Sequence, residues 1–303
     1  MKFPKLIGYH NLGDFVPGAN TLPRKSYTSD LTADQWAILE PMFPPNMGRG
    51  RRQTIPIREI INAIFYINSN GCLWADLPHD FPPPSSVSYH YSKWKRNGTW
   101  RRINDALREA VRIQAGRDPH PSAAALDSQT VKAAPTGGHR GYDGGKKTNG
   151  RKRHILVDTL GLLIAVTVTA ASASDAAGAV GVLRQVSRFD QPRLQTVFVD
   201  QAYHRDELYT FADQHLSCTL QVGNRPPGAE GFVPIRKRWV VERTFGWLVQ
   251  SRRHAKDYER TYESSEAQIY ITHVKILLRR LTRSANPNNS DPAAIAENHR
   301  LAA

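Results

Sequence analysis

Cysteine is scarce in this chain. Only Cys72 and Cys218 occur among 303 residues, far apart and without a CxxC partner, which argues against a disulfide framework or a cysteine-bound zinc. Long apolar runs are missing as well. None reaches the about 18 residues that span a bilayer. The longest, Leu160 to Ala173, follows Asp158 and is dominated by β-branched residues, so it reads as strand. The first thirty residues lack a basic-then-apolar leader pattern, since Pro4, Asp14 and Pro17 interrupt them. A reducing cytosol is the expected setting, with no membrane partner. Acidic residues are the third shortage, 27 against 41 basic, for a net charge of +14. Apolar residues are not short, at 40%. That excludes a disordered basic tail and is enough for one large core or two smaller ones.

The positive charge is clustered. Residues 49–117 carry a net +7, residues 132–154 carry +6 and residues 235–260 carry +5, so the rest of the chain is net acidic. Three separated basic segments suit a surface that follows a polyanion, because each neutralised phosphate releases counterions. Solvated charged faces are the simpler reading of the same pattern.

Residues 1–29 are rich in Pro and Gly without periodicity and read as a flexible N-terminal arm. Residues 30–118 read as an all-helical domain. Thr32 with Gln35 makes a capping box, and Leu31 with Trp36 suits a hydrophobic staple. A basic loop with Arg51 and Arg52 follows, and then Ile57, Ile60, Ile61, Ile64 and Phe65 keep helical spacing up to Gly71. Three prolines precede Ser85, and the next helix spaces Val87, Tyr91 and Trp94 by about one turn, with Lys93, Lys95 and Arg96 near its end. A fourth helix runs from about Trp100 to Gln114. A compact helical unit with a short, aromatic, basic third helix is helix-turn-helix-like; a small bundle with aromatic core residues is the alternative.

From Ser122 the period changes to that of strands. Ala123 to Val131 is an expected strand, followed by a loop rich in Gly, Lys and Arg that runs to Arg151-Lys152-Arg153. His154 to Val157 and Leu162 to Thr169 form an expected hairpin around Asp158 to Gly161. A helix from Ser174 to about Arg188, a strand at Thr196 to Asp200, a helix at Asp206 to His215 and a strand at Cys218 to Val222 follow. Two helices, about Pro234 to Tyr258 and Ser264 to Arg283, close a domain over residues 119–283. This order predicts an α/β fold whose mixed sheet is flanked by helices. Residues 284–303 are polar and read as a disordered tail.

Three acids occupy unexpected places. Asp127 sits inside an apolar strand, where an unpaired charge is costly. Asp200 ends the most apolar strand, at the carboxyl end where open α/β sheets bind ligands. Glu242 shares a helical face with Trp239, Gly246 and Val249, so it is expected to aim at the sheet, and Arg238 stands four residues before it, within ion-pairing reach. Local explanations exist for each: a buried hydrogen-bonded acid, a loop cap, an intrahelical ion pair. Converging, the three could hold hard divalent ions, Mg²⁺ or Mn²⁺. Two such ions about 3.5–4 Å apart serve phosphoryl transfer. Asp158, at a hairpin turn, reads as structural. His139 and His154 read as phosphate contacts or structural groups.

Ala125-Leu126-Asp127-Ser128-Gln129-Thr130-Val131-Lys132, Gly150-Arg151-Lys152-Arg153-His154, Asp200-Gln201-Ala202-Tyr203, and Arg238 to Leu248 followed by Arg252-Arg253 to Asp257-Tyr258-Glu259 together resemble DDE transposases of bacterial insertion sequences. The branch resembled is the insertion sequence five family of the insertion sequence four-like superfamily. Leu31-Thr32 to Trp36, Arg58 to Tyr66 and Gly71 to Phe81 resemble its helical N-terminal domain. The resemblance implies an RNase H-like catalytic core with Asp127, Asp200 and Glu242 as catalytic, metal-binding residues and two ions per site. It also implies cleavage at terminal inverted repeats and joining of 3′ hydroxyl ends to target DNA, by a homodimer on double-stranded DNA in the nucleoid. The superfamily signature around the glutamate is matched at Arg238 and Glu242, but Ile235 stands at its Tyr position and Val249 at its Lys position. Arg252 or Arg253 is expected to supply the missing charge. Ala202 stands where Gly is usual, and the 42 positions from Asp200 to Glu242 leave no room for a large inserted domain. Lys146, Lys147, Arg151 and Arg153 are expected DNA-backbone contacts in the core. A non-catalytic DNA-binding protein on the same fold and a general metal-dependent nuclease are the competing functions.

Overall fold

The computed structural model describes residues 24–43, 54–135, 138–223 and 239–283. Four helices come first: α1 (Ala33–Leu39), α2 (Ile57–Asn70), α3 (Pro84–Arg96) and α4 (Thr99–Gln114). Local chemistry sets their limits. The Thr32 hydroxyl accepts the Gln35 N–H while the Gln35 side chain accepts the Thr32 N–H, closing the expected capping box. Gly71, at φ +74°, ends α2 in the left-handed conformation that glycine adopts without steric cost. Pro84 opens α3 at a first-turn position that needs no N–H donor.

The sheet has six strands: β1 (Ala123–Lys132), β2 (Gly141–Asp143), β3 (Thr148–Asp158), β4 (Leu163–Ala170), β5 (Thr196–Val199) and β6 (Thr219–Val222). Its order is β2-β3-β1-β5-β6, with β4 also on β3. Strands β1, β3 and β4 are antiparallel, whereas β5 and β6 add in parallel to β1. This is the expected mixed arrangement, with β2 as a short addition inside the Gly-rich loop. The β3–β4 turn is held by Asp158, which is fully buried. Its carboxylate accepts the N–H groups of Leu160 and Leu162, each at 2.8 Å, and pairs with Arg112 at 2.5 Å. Gly161 supplies the positive φ. The structural reading of Asp158 holds.

Helices α5 (Asp175–Arg184) and α6 (Asp206–Leu216) cover one sheet face, packing around Leu126, Leu156 and Val197. The other face lies under α7 (Trp239–Leu248) and α8 (Tyr262–Arg283). Its core residues, among them Ala125, Ile155, Val157 and Phe198, run continuously into Ile60, Ile64, Trp94 and Trp100 of the first helices. The N-terminal helices therefore share a core with the sheet through α8.

One expected helix is shorter than its sequence pattern. The segment from about Pro234 to Tyr258 is helical only over α7 within the described residues, and a 3-10 turn at Arg252–His254 follows. The chain leaves the helix because Asp257 joins the sheet edge. Its N–H donates to Lys132 O at 2.8 Å and its carbonyl accepts the Ala134 N–H at 2.7 Å. A helix interior would consume both groups in its own ladder.

Candidate active site

Strand register brings two of the three acids together. β1 and β5 pair in parallel as Ala123↔Thr196, Ala124↔Val197 and Ala125↔Phe198. Two residues further on, Asp127 is still within β1 and Asp200 lies just past the end of β5, and strand alternation directs both toward the face that carries Ala125 and Phe198. Helix α7 packs against β1 and β3 on that same face. Asp127 Oδ1 accepts the Ser128 N–H at 2.8 Å, and Asp200 Oδ1 accepts the Gln201 N–H at 2.6 Å. Asp200 thereby caps the 3-10 turn Gln201–Tyr203, so the local capping reading is realised.

Tyr203 lies beneath this pair. It is 1% exposed. Burial drives its hydroxyl above the usual tyrosine range, and the charges of Asp127, Asp175 and Asp200 push in the same direction. Sequence reading gave Tyr203 no separate role; its place three residues after Asp200, in an otherwise polar turn, was the available signal. Ser128, on the opposite face of β1 from Asp127, donates to Asp175 at 2.8 Å, and Lys152 pairs with Asp175 at 3.2 Å.

Glu242 is on α7 but not where the helical pattern put it. The buried face of α7 is Val240, Val241, Thr244, Phe245 and Leu248. Glu242 and Gly246 are exposed, with Trp239 at 41% and Val249 at 48%. The expectation that Glu242 aims into the sheet is therefore corrected. The Val240–Val241 and Thr244–Phe245 pairs make a wider apolar stripe than Trp239 and Val249, and the wider stripe takes the core. Among the described residues, no three His, Cys, Asp or Glu side chains stand close enough together to hold a metal ion. The donors that do come together are carboxylate oxygens, the chemistry that hard divalent cations prefer.

The basic residues divide into four groups. Arg51, Arg52 and Arg238 lie outside the described residues. Lys93 and Arg96 are exposed on α3 in one stripe with Ser85 and Tyr89, and Lys146, Lys147 and Arg252 are also exposed. Lys95 is half-buried and donates to Ser264 Oγ on α8 at 2.9 Å, so it ties the helical unit to α8.

Arg151, Arg153 and Arg253 are corrections. They are 0%, 1% and 6% exposed, Arg151 and Arg253 are paired with carboxylates and Arg153 is held by a carbonyl in the core, so in this conformation none of them presents its charge to a DNA backbone. The Gly/Lys/Arg-rich loop ends at Lys147 and β3 begins at Thr148, so Arg151 and Arg153 are strand residues pointing to one face. Arg151 donates to Asp257 at 3.0 Å, to Ser265 Oγ at 2.9 Å and to His139 O at 2.9 Å. Arg153 donates to His254 O at 3.2 Å, and burial lowers its pKa to about 10. Arg253 pairs with Glu259 at 2.7 Å and reaches Cys72 O at 3.1 Å. Asp257 and Glu259, two acids in a basic segment, were the sequence signal for these partners.

His154 is structural. It is fully buried, hydrogen-bonded to Thr169 Oγ1 at 2.9 Å, and packed so closely under Gly178 of α5 that a Cβ there would collide with the ring. Burial lowers its pKa to about 4. In an NMR titration its ring signals are expected to hold their neutral positions from pH 8 to about 5. A midpoint near the ordinary 6.5 would mean that α5 does not seal the site.

Residues 31–104 match the family described as "Putative transposase of IS4/5 family", and residues 118–278 match the family described as "Transposase DDE domain". No curated protein matches the chain. No helix among the described residues is long and apolar enough to cross a membrane. The second match covers more than half of the chain, and the mixed sheet flanked by helices after an N-terminal helical region is the RNase H-like architecture that the match brings with it. The chain belongs to the DDE transposases of the insertion sequence four/five type, enzymes that cut and transfer DNA.

Proposed function

We propose that this transposase cuts DNA at the terminal inverted repeats of its mobile element and joins the freed 3′ hydroxyl ends to target DNA. Asp127, Asp200 and Glu242 are the acids of its active site. The observation that carries this reading is the parallel register of β1 and β5, which pairs Ala125 with Phe198 two residues before each acid and so directs Asp127, in the middle of β1, and Asp200, just past the end of β5, to the face where α7 packs. Their carboxylates would hold divalent cations, Mg²⁺ or Mn²⁺, with Glu242 completing the set from α7. Two bound ions would supply activation of the attacking oxygen and charge stabilisation at the leaving one.

The remaining work falls to the chain's own residues. Exposed Lys146 and Lys147 beside the sheet, Arg252 after α7, and Lys93 and Arg96 on α3 neutralise backbone phosphates and fix the register of the duplex. Residues 30–118 act as the helical DNA-binding domain and residues 119–283 as the catalytic domain. A dimer holds the two element ends together.

The test uses a duplex that contains the inverted repeat bounding the gene, and a scrambled duplex of equal length. Mg²⁺-dependent nicking at the repeat boundary, leaving a 3′ hydroxyl, is the expected result. Equal cutting of both duplexes would identify a general nuclease. Tight binding of the repeat without any cutting would identify a DNA-binding regulator.

A further inference from the structure

A small cleft of about 100 Å³ opens between α2, the C-terminal end of α7 and α8, lined by Ser69, Trp247, Gln250, Thr272, Lys275 and Arg279. Lys275 is 8% exposed. Its ammonium donates to Asn68 Oδ1 at 3.1 Å and to Ser69 Oγ. Asn68 Oδ1 also accepts from Thr272 Oγ1 at 3.0 Å, and that hydroxyl bonds His254 Nε2 at 2.7 Å. No carboxylate pairs with Lys275 among the described residues. The titratable or charged groups around it are Arg279 on α8 and His254, which burial keeps neutral. Helix α2 contributes only neutral groups to the lining, and α7 contributes Trp247, against which Arg243 of the same helix packs.

The buried ammonium is held by neutral acceptors only, and with Arg279 at the rim two positive charges face one cleft with no carboxylate paired to Lys275 among the described residues, which favours an anion there. The approach is also basic: Arg243 lies 4.8 Å and Arg280 4.5 Å from the Trp247 ring centroid. Trp247 and Gln250 follow Glu242 by five and eight residues, about 7–12 Å along a helical path.

We propose that this cleft binds a phosphate group through Lys275 and Arg279, and, resting on the transposition reading above, that the phosphate belongs to the DNA backbone. Burial lowers the Lys275 pKa to about 7. A bound phosphate favours the ammonium, whereas above pH 7 the free protein must first take up a proton. Affinity therefore falls as pH rises.

The test compares wild type, Lys275→Arg and Lys275→Met without divalent metal. Met matches the stem in size and lacks the charge, and Thr272 still donates to Asn68, so the variant is expected to fold. Anisotropy with an element-end duplex is expected to show wild-type affinity falling about fivefold or more between pH 6.5 and 8.5. Lys275→Arg should hold nearly constant across that range. Lys275→Met should bind weakly throughout, with the salt slope reduced by about one. In the second arm, inorganic phosphate at pH 6.5, against chloride at equal ionic strength, raises the Tm of wild type but not of Lys275→Met. If duplex affinity is indifferent to Lys275 while the phosphate shift depends on it, the DNA source is overturned and free phosphate is the ligand. If neither responds, the cleft is not a phosphate site. A wild type that binds no duplex defeats the transposition reading alone, and the phosphate arm still decides the cleft.

Discussion

Asp127→Ala, Asp200→Ala and Glu242→Ala are each expected to lower metal-dependent strand cleavage at the element end by at least about a thousandfold, or about 4 kcal/mol of transition-state stabilisation. Duplex binding without metal should stay within about twofold, because removing an acid from a basic surface does not remove a phosphate contact. The three substitutions differ in what they disturb. Asp127 and Asp200 accept backbone N–H groups from Ser128 and Gln201, so their loss also frees a strand N–H in β1 and uncaps the 3-10 turn after β5. Asn at either position keeps an acceptor and isolates the charge. Glu242 is exposed on α7, so its replacement should leave thermal stability almost untouched. Glu242→Ala is therefore the most discriminating of the three. Cleavage at more than a tenth of the wild-type rate, in a fully folded Glu242→Ala protein, would remove Glu242 from the active site.

The second large effect is on stability. Asp257→Ala is expected to destabilise the protein by about 3–5 kcal/mol, because it strands the buried Arg151 guanidinium without its counter-charge. The pair is 3.0 Å apart, with side chains 0% and 1% exposed. Ser265 Oγ and the Glu259 N–H also depend on the same carboxylate. The backbone bonds of Asp257 to Lys132 and Ala134 can still form in the variant, so the loss is that of the side-chain anchors to Arg151, Ser265 and Glu259. Denaturant unfolding measures the loss. Asp257→Asn, which keeps hydrogen bonding but not charge, should recover part of it. A loss below about 1 kcal/mol for Asp257→Ala would mean that Arg151 finds water or another acceptor. Activity should fall in proportion to the unfolded fraction if Asp257 serves only stability.

Much of the architecture is written in local pattern. Thr32 with Gln35 starts α1, Gly71 ends α2, and the Asp158–Gly161 turn sets the β3–β4 hairpin. These are interactions between residues a few positions apart, which any sequence window contains. The apolar run ending at Asp200 likewise announces a buried strand with an acid at its carboxyl end. The partnership of Asp200 with Asp127 is an expectation from the sequence and the resemblance, and the parallel pairing of Ala125 with Phe198, two residues before each acid, supports it.

What sequence by itself determined here is the type and order of elements, the mixed sheet they build and the positions of the unusual acids. Tertiary structure decided which way side chains face. Alternation along β3 says that Arg151 and Arg153 share a face, but not whether that face meets water or protein. That depended on the segment from Arg252 to Glu259, about a hundred residues later, folding back to bring Asp257 and His254 against it. Helical periodicity similarly offered two faces of α7, one with Trp239 and Glu242 and one with Val241 and Phe245. Burial went to the face with more apolar area against β1 and β3, and Glu242 was left toward solvent. Periodicity is a property of one segment, whereas burial is a property of two surfaces that meet.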